Sequence, residues 1–386
     1  MYMSTIAEKQ KERLEVRSDY LAGKKPKRVF ISAGFSSEAA CGLAGINLFK
    51  AQYDPELMEQ ALDKACATFP SDTMMGRSLR SVYLCQFLGS KSWVAGSNGT
   101  LQHPEFYSMK VEEYDEFIKA PYKTLVEKIL PRLHTALDKD PITSGINFMS
   151  AFIAWKDYNA KQNAMAARLT EKYGFAPGFT TNQGFVAPFD FLADQLRGFT
   201  QVNVDVHRIP DKVKAAVEVI TPLMIKRATP KVMRPGLISF IPFHMGSFVS
   251  RKAFEELWWP SLEKCVVELD KIGIACCIFV EHDWTKYVSY LERLPKSTIM
   301  YMERGDPKAF ADTVGKEHVI GGFYDPTISL TRSKQECIDE AKKLLDITMK
   351  TGKYYFCFDK SVLDIKSIDV SKVVAVLEWV RENAKY

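Results

Sequence analysis

The sequence predicts an α/β protein, a single-domain (β/α)₈ barrel preceded by a charged N-terminal helical extension. The chain has 386 residues, of which 46% are hydrophobic and 26% charged, a globular composition long enough for a barrel with insertions. Its second half alternates short apolar runs with amphipathic helices, which is typical of βα units. We place the extension at 1–26 and the barrel at 27–386. A doubly wound sheet with a second domain also fits this length.

The first half gives weaker signals than the second. The segment KRVFIS at 27–32 reads as a strand, and YDPELMEQALDKACATF reads as a helix. Residues 89–115 form a turn-rich segment that is too long for a simple connection. Long loops in compact domains usually carry function or close over a site. We therefore expect Gln102 and His103, which lie in this segment, to contact substrate.

Regular βα units are predicted after residue 236. Each strand is a short, mostly apolar run, and each helix carries apolar residues at spacings of three and four. Ser333 and Glu336 form a capping box for one helix, and Asp369 caps the last. Trp258 and Trp259 are adjacent, so we expect only one to face the core. The predicted strands are LISFIPF (237–243), IACCIFV (274–280), STIMYM (297–302), HVIGGF (318–323) and KYYFCF (353–358).

Composition argues against several classes of protein. The net charge is +5, and residues 8–28 supply +4 of it, which indicates a solvated basic helix rather than a nucleic-acid groove. The sequence has no apolar run of membrane-spanning length, and we expect a cytoplasmic protein. The eight cysteines form no C-x-x-C pair, which fits buried thiols in a reducing compartment.

Polar side chains follow all five predicted strands of the second half. In a (β/α)₈ barrel the carboxyl ends of the strands carry the chemistry. We therefore expect these side chains to gather at one face and to form the active site. They are His244, Glu281, Asp283, Glu303, Tyr324, Asp359 and Lys360.

Glu281 and Asp283 are the most informative pair. One residue separates them, so in an extended segment both would point to the same side. Two such carboxylates need a cation, a shared proton or a basic partner. A metal would take further ligands from His244, Cys357 or Asp359. The alternative is that the carboxylates accept hydrogen bonds from loop amides and from lysines, and the sequence does not decide between the two.

These segments resemble the uroporphyrinogen decarboxylase superfamily, whose members are single (β/α)₈ barrels. The resemblance covers most of residues 80–386. It rests on the order and spacing of several segments rather than on one specific motif. The segments are LGSKSWVAGSNGTLQHPEFYSMKVEEYDEFI, FVAPFDFLADQLRGF, HMGSFVSRKAFEELWWPSLEKCV, the strand ending in EHDW, GGFYDPTISLTRSKQECIDEAKKLLD and FDKSVLDIKSIDVSKVVAVLEWV.

The resemblance implies one of two activities. Members either decarboxylate a tetrapyrrole or transfer methyl groups to and from a corrinoid protein, often with zinc. True decarboxylases carry an R-Q-A-G-R stretch where this chain reads FISAGFSSEAACG, without arginine. Zinc-dependent thiol methyltransferases carry an H-x-C pair where this chain has Glu281-His282-Asp283. It is therefore most similar to the carboxylate variant, which we associate with substrate-side methyltransferases of anaerobic O-demethylation.

We therefore expect a methyltransferase that moves a methyl group from a small methoxylated, aromatic compound to the cobalt of a partner corrinoid protein. The catalytic residues would be Glu281, Asp283, His244 and Asp359. Substrate would contact His103, Gln102, Tyr324, Glu303 and Lys360, and a zinc ion would bind Glu281, Asp283 and Cys357. The alternatives are a methyltransferase acting from the corrinoid to an acceptor, a decarboxylase-like lyase and a catalytically silent binding barrel.

Overall fold

The computed structural model describes residues 5–76 and 81–386, so residues 1–4 of the expected extension lie outside it. Within the described residues the strands are short and the α-helices more numerous. The strands are β1 (Ile31–Ser32), β2 (Val94–Ala95), β3 (Leu101–Gln102), β4 (Leu237–Pro242), β5 (Ile274–Asp283), β6 (Ile299–Arg304), β7 (Val319–Gly322) and β8 (Tyr354–Cys357).

The α-helices range from one turn to nine turns. They are α1 (Ile6–Leu21), α2 (Ser37–Ala44), α3 (Leu48–Ala51), α4 (Pro55–Thr68), α5 (Val82–Leu88), α6 (Tyr114–Lys119), α7 (Pro121–Thr124), α8 (Leu130–Leu133), α9 (Pro141–Tyr173), α10 (Pro188–Phe191), α11 (Phe199–Arg208), α12 (Pro210–Ala228), α13 (Arg251–Ala253), α14 (Trp259–Lys271), α15 (Val288–Leu291), α16 (Pro307–Asp312), α17 (Lys334–Thr348) and α18 (Val370–Asn383). In the part of the chain that the structure describes, π-helical turns at Leu125–Ile129, Leu192–Arg197 and Phe254–Trp258 join neighbouring α-helices. In the described residues no helix combines the length and apolar character needed to span a membrane.

The chain forms two compact units. The first unit comprises Met1–Leu79, Lys161–Thr181 and Ala275–Tyr386, and the second comprises Arg80–Ala160 and Asn182–Ile274. The predicted boundary between an extension and a single barrel domain stays a prediction.

The core of the first unit is a parallel sheet in the order β1-β8-β7-β6-β5. Beyond β1 the hydrogen bonding continues, since the Asp72 N–H donates to the Ile31 carbonyl (2.8 Å) and the Ala176 N–H donates to the Asp72 carbonyl (2.9 Å). The strands of this sheet alternate with helices along the chain, as the apolar runs in the sequence predict. Ser333 and Asp369 cap α17 and α18 with their side chains, which confirms both predicted helix starts.

The second unit contains β4, the β2–β3 hairpin and helices that pack beside them. Residues 182–185 run along β4, with the Asn182 N–H donating to the Ile238 carbonyl at 3.0 Å. Trp258 and Trp259 are both buried, at 0% and 2% exposure. The expectation that only one faces the core is wrong, because the π-helical turn Phe254–Trp258 adds a residue to the helical turn and brings both rings to the buried side.

The N-terminal helix α1 belongs to the first unit and packs on it through Val16 and Tyr20. Its basic residues are not all solvated, which corrects the expectation drawn from the charge. Arg13 donates to the Tyr173 carbonyl at 2.7 Å, and Arg28, just after the helix, pairs with Glu12 at 2.6 Å and Asp72 at 2.7 Å. The hydrogen bonds and ion pairs of these two arginines therefore help to hold α1 against the rest of the first unit.

Candidate active site

The end of β5 departs from regular strand geometry. The strand continues through Glu281 to Asp283, but its register with β6 shifts between Val280 and Asp283. His282 has φ 65°, in the left-handed region that residues other than glycine rarely adopt. The premise that an extended backbone points Glu281 and Asp283 to the same side is therefore wrong. Asp283 is exposed, and its Oδ1 accepts a hydrogen bond from the Thr285 N–H at 2.8 Å.

Glu303, at the end of β6, is held by donors from two other segments. Its Oε2 accepts from the His282 N–H at 2.8 Å, and its Oε1 accepts from the Lys360 ammonium at 3.1 Å. Burial favours the neutral acid, but these donors outweigh burial and lower the pKa of Glu303 below its ordinary value. Glu303 is therefore ionised at neutral pH, and the unusual backbone at His282 supplies one of its donors.

Asp359, just after β8, has the opposite electrostatic environment. Its side chain is buried, and burial together with the nearby charge of Asp325 raises its pKa to about 6. The hydrogen bond from the Lys360 N–H to Oδ1 (2.8 Å) opposes this rise only in part. Its own N–H donates to the Tyr324 carbonyl at 2.8 Å, which fixes the backbone at the strand end. A pKa this close to neutrality suits proton transfer.

Tyr301 is a candidate functional residue that the sequence analysis missed. Its ring stacks on Phe279 of β5, with centroids 4.4 Å apart. Burial raises the pKa of its hydroxyl, and so do four neighbouring groups, Cys277, Cys357, Glu281 and Glu303. Alternation along the strand could have found it, because Tyr301 and Glu303 are two residues apart and share a face of β6.

Tyr355, from β8, places another aromatic ring in the interior of the first unit. Tyr355 lies 4.7 Å from the ring of Phe179, between centroids. A Cβ built on Gly321 would come within 2.6 Å of the Tyr355 ring, so only glycine leaves room for that ring beside β7. Burial raises the pKa of the Cys357 thiol, which hydrogen-bonds to Tyr355. The thiol is therefore protonated and shielded at neutral pH.

Tyr324 lies differently from the other strand-end side chains. It is 3% exposed, and its hydroxyl donates to the Cys337 carbonyl of α17 at 3.1 Å. This places the hydroxyl against the helix that covers the sheet. A substrate contact through that hydroxyl would require this hydrogen bond to break.

In the second unit, His244 follows β4 and belongs to a cluster with two aspartates. The ring Nδ1 of His244 lies 2.8 Å from Asp194 Oδ1, and the backbone N–H of His244 donates to Asp190 Oδ2 at 3.0 Å. Asp190 Oδ1 also accepts from the Met245 N–H (3.1 Å) and the Trp258 indole N–H (2.7 Å). Burial and the neighbouring charge of Asp194 raise the pKa of Asp190, and the Trp258 donor opposes the rise. Sequence analysis missed this cluster, because His244 and Trp258 lie 50 or more positions from the aspartates that they contact.

Gln102 and His103 lie at the end of the β2–β3 hairpin in the second unit. Gln102 donates to Thr100 Oγ1 at 3.1 Å, and His103 stacks on Trp93 with centroids 4.0 Å apart. Glu105, just after the hairpin, contacts α11, because its Oε1 accepts a hydrogen bond from the Thr200 N–H at 2.6 Å. Their predicted substrate contacts stay predictions.

The structure thus brings four predicted side chains of the first unit close together. Glu281 and Glu303 both lie near Tyr301, and Glu303 forms an ion pair with Lys360. Asp359 lies close enough to Glu303 and Lys360 for their charges to affect its pKa. Within residues 5–76 and 81–386, no three His, Cys, Asp or Glu side chains form a group that could hold a metal ion. The expected zinc ligands Glu281, Asp283 and Cys357 are therefore not assembled as a set in the described part of the chain.

Fold and site together define an α/β protein with acidic groups at the carboxyl ends of parallel strands. Residues 165–381 match the family model described as uroporphyrinogen decarboxylase (URO-D), and the chain belongs to this family. Its structure is similar to that of a methyltransferase from Methanosarcina mazei, with a TM-score of 0.59 at 13% identity, covering 98% of this chain and 99% of that one. The predicted (β/α)₈-barrel class is thereby confirmed. A search among curated proteins found no match.

Proposed function

We propose that this protein is a methyltransferase that moves a methyl group from a small methoxylated aromatic compound to a corrinoid carried by a partner protein. The observation that carries the proposal is the pairing of Glu303, whose pKa is lowered, with Asp359, whose pKa is raised to about 6. Two carboxyl groups with pKa values pushed apart are typical of sites that move protons. Family membership and the likeness to a methyltransferase support the same class of enzyme.

The chemistry requires a proton at the substrate oxygen. When methyl leaves an aryl methyl ether, the electrons of the carbon–oxygen bond stay on the oxygen, and a phenolate leaves poorly unless it is protonated. The reduced corrinoid supplies the nucleophile that takes the methyl group. The neutral carboxyl of Asp359 gives its proton to the leaving oxygen, and ionised Glu303 holds Lys360 beside it. The stacked rings of Phe279 and Tyr301 offer an aromatic surface for the substrate.

The proposal is tested by mixing the protein with a reduced corrinoid protein and a panel of aryl methyl ethers. We expect the absorption spectrum of the corrinoid to change to that of its methylated form only when all three components are present. The free phenol should appear in equal amount. A matched reaction with the demethylated phenol in place of the ether controls for nonspecific oxidation of the corrinoid.

A decarboxylase-like lyase is the second candidate, because the family is described as uroporphyrinogen decarboxylase. Against it, residues 30–42, which include β1 and most of α2, contain no arginine to hold substrate carboxylates. Consumption of a carboxylated substrate at full rate without any corrinoid protein would replace the methyltransferase proposal with this one.

Zinc remains a separate prediction. If Glu281 and Asp283 bind it, protein purified without chelator should contain near-stoichiometric zinc. The Glu281→Gln, Asp283→Asn double variant should lose the ion and the activity together. A variant at a half-buried acidic pair of α14, away from the strand ends, Glu268→Gln with Asp270→Asn, serves as the control. Unchanged activity after exhaustive chelation would contradict the prediction and leave proton donation by Asp359 standing.

A further inference from the structure

The first half of α9, residues 141–160 in the second unit, turns its small and polar residues inward. Ser144 Oγ donates to the Leu137 carbonyl at 2.8 Å, and Asn147 Nδ2 donates to the Ala136 carbonyl at 2.7 Å. Ala151 is buried, and the Ala154 carbonyl accepts from the Tyr83 hydroxyl at 2.7 Å. These positions recur every three or four residues and so mark the side of α9 that faces its own unit.

The remaining sides of this half-helix carry large apolar side chains that are exposed. A surface helix normally buries its apolar stripe and turns polar residues to water, and here the pattern is reversed. We name these seven residues the α9 patch. They are Ile142 (76% exposed), Ile146 (61%), Phe148 (55%), Met149 (56%), Phe152 (47%), Ile153 (60%) and Trp155 (46%).

The α9 patch is large enough to form a stable interface. With about 200 Å² for each fully exposed side chain of this size, the patch presents roughly 800 Å² of apolar surface. Monomeric soluble proteins rarely expose a contiguous apolar patch larger than a few hundred Å². A standard protein–protein interface buries about 800 Å² on each partner. The patch therefore has the area that one partner in a stable complex needs.

The chemistry of the patch indicates a permanent partner. Residues 141–155 contain no charged side chain and no histidine. Interfaces that are this apolar are typical of obligate homodimers, whereas surfaces that bind and release a partner are more polar. A corrinoid protein that exchanges in each catalytic cycle is of the second kind. A membrane-bound helix would carry lysine or arginine beside its apolar face, and this stretch has none.

We infer that the α9 patch is the interface between two copies of this chain. Cyclic two-fold dimers are the commonest oligomers, and a two-fold axis across α9 would pack the two helices antiparallel. Both signs of charge flank the patch, with Lys139 and Asp140 before it and Lys156 and Asp157 after it, so an antiparallel pair of helices would bring no block of like charges together. The inference is independent of the proposed activity.

The inference is tested by the mass of the full chain in solution, measured by analytical ultracentrifugation over a range of concentrations. We expect the wild-type protein to be a dimer. The Ile146→Glu, Phe152→Glu double variant should weaken dimerisation at least about 100-fold, because it buries two charges in an apolar interface. Val232→Glu changes an apolar residue that is 67% exposed elsewhere in the second unit, and it should leave the dimer intact. Circular dichroism checks that each variant is folded.

A second measurement locates the contact. Met149 lies at the middle of the patch, so a Met149→Cys variant should form a disulfide between two copies under mild oxidation, whereas Val232→Cys should not. A monomeric wild-type protein at all concentrations would overturn the inference. So would a dimer that survives the double variant. If the wild type is monomeric and the patch instead binds the corrinoid protein or neutral phospholipid vesicles, the second copy is the wrong occupant.

Discussion

Replacing Asp190 with alanine is expected to lower the free energy of unfolding of the second unit by about 4 kcal/mol. Two buried donors, the backbone N–H of Met245 and the indole N–H of Trp258, and the half-buried backbone N–H of His244 would lose their common acceptor. A buried donor left without a partner costs about 1–3 kcal/mol. The cost of burying the Asp190 carboxylate, seen in its raised pKa, offsets part of this loss.

The measurement is denaturant unfolding combined with hydrogen exchange at the amides of His244 and Met245, which should lose their protection. Trp258→Phe is the matched control, because it removes one donor and keeps the carboxylate and most of the ring packing. It should cost only about 1 kcal/mol. A loss below about 1 kcal/mol for Asp190→Ala would show that the carboxylate does not organise the loop after β4.

Replacing Asp359 with asparagine is expected to abolish methyl transfer and, at neutral pH, to stabilise the fold. Activity is lost because asparagine keeps the shape of the side chain but has no acidic proton. In the wild type, the activity that depends on the protonated carboxyl should fall as pH rises through about 6. Rim residues at the carboxyl ends of barrel strands serve chemistry more than packing, which is why loss of function and gain of stability can coincide.

The sign of the stability effect follows from linkage. The pKa of Asp359 is raised in the folded protein, so the folded state binds the proton more tightly than the unfolded chain. That contribution is fully present below about pH 4 and is lost as pH rises through about 6. The Tm of Asp359→Asn relative to wild type should therefore increase over this interval and then level off. A Tm difference that does not change with pH would refute the raised pKa, whereas full activity of the variant would refute only the catalytic role.

The elements that the sequence predicts best are those with local signals. The apolar runs after residue 236 mark β4 to β8 because a strand buried on both faces is continuously apolar. Ser333 and Asp369 mark helix starts because capping depends only on neighbouring residues. The placement of Glu303, Asp359 and Lys360 near one another follows from the same rule, since the carboxyl ends of parallel strands share one edge of the sheet.

The features that the sequence does not reveal depend on contacts between distant residues or on local strain. Nothing in EHDW signals that His282 adopts φ 65°, because this conformation is stabilised by the hydrogen bond from its N–H to Glu303. Asp190 and Asp194 read as ordinary polar positions of a helix until β4 brings His244 beside them. Tyr301 reads as a core residue, and only the carboxylates around it give its hydroxyl a chemical role.

The pairing of β1 with β8 also bears on how the protein is synthesised. Ile31 pairs with Phe356, which the ribosome adds roughly 300 residues later, and at 5–20 residues per second that takes roughly 20 to 60 s. During this interval one edge of β1 has no strand to bond to, and unpaired strand edges can bond to other chains. The sheet of the first unit is therefore completed on the timescale of translation, however readily each strand would form by itself.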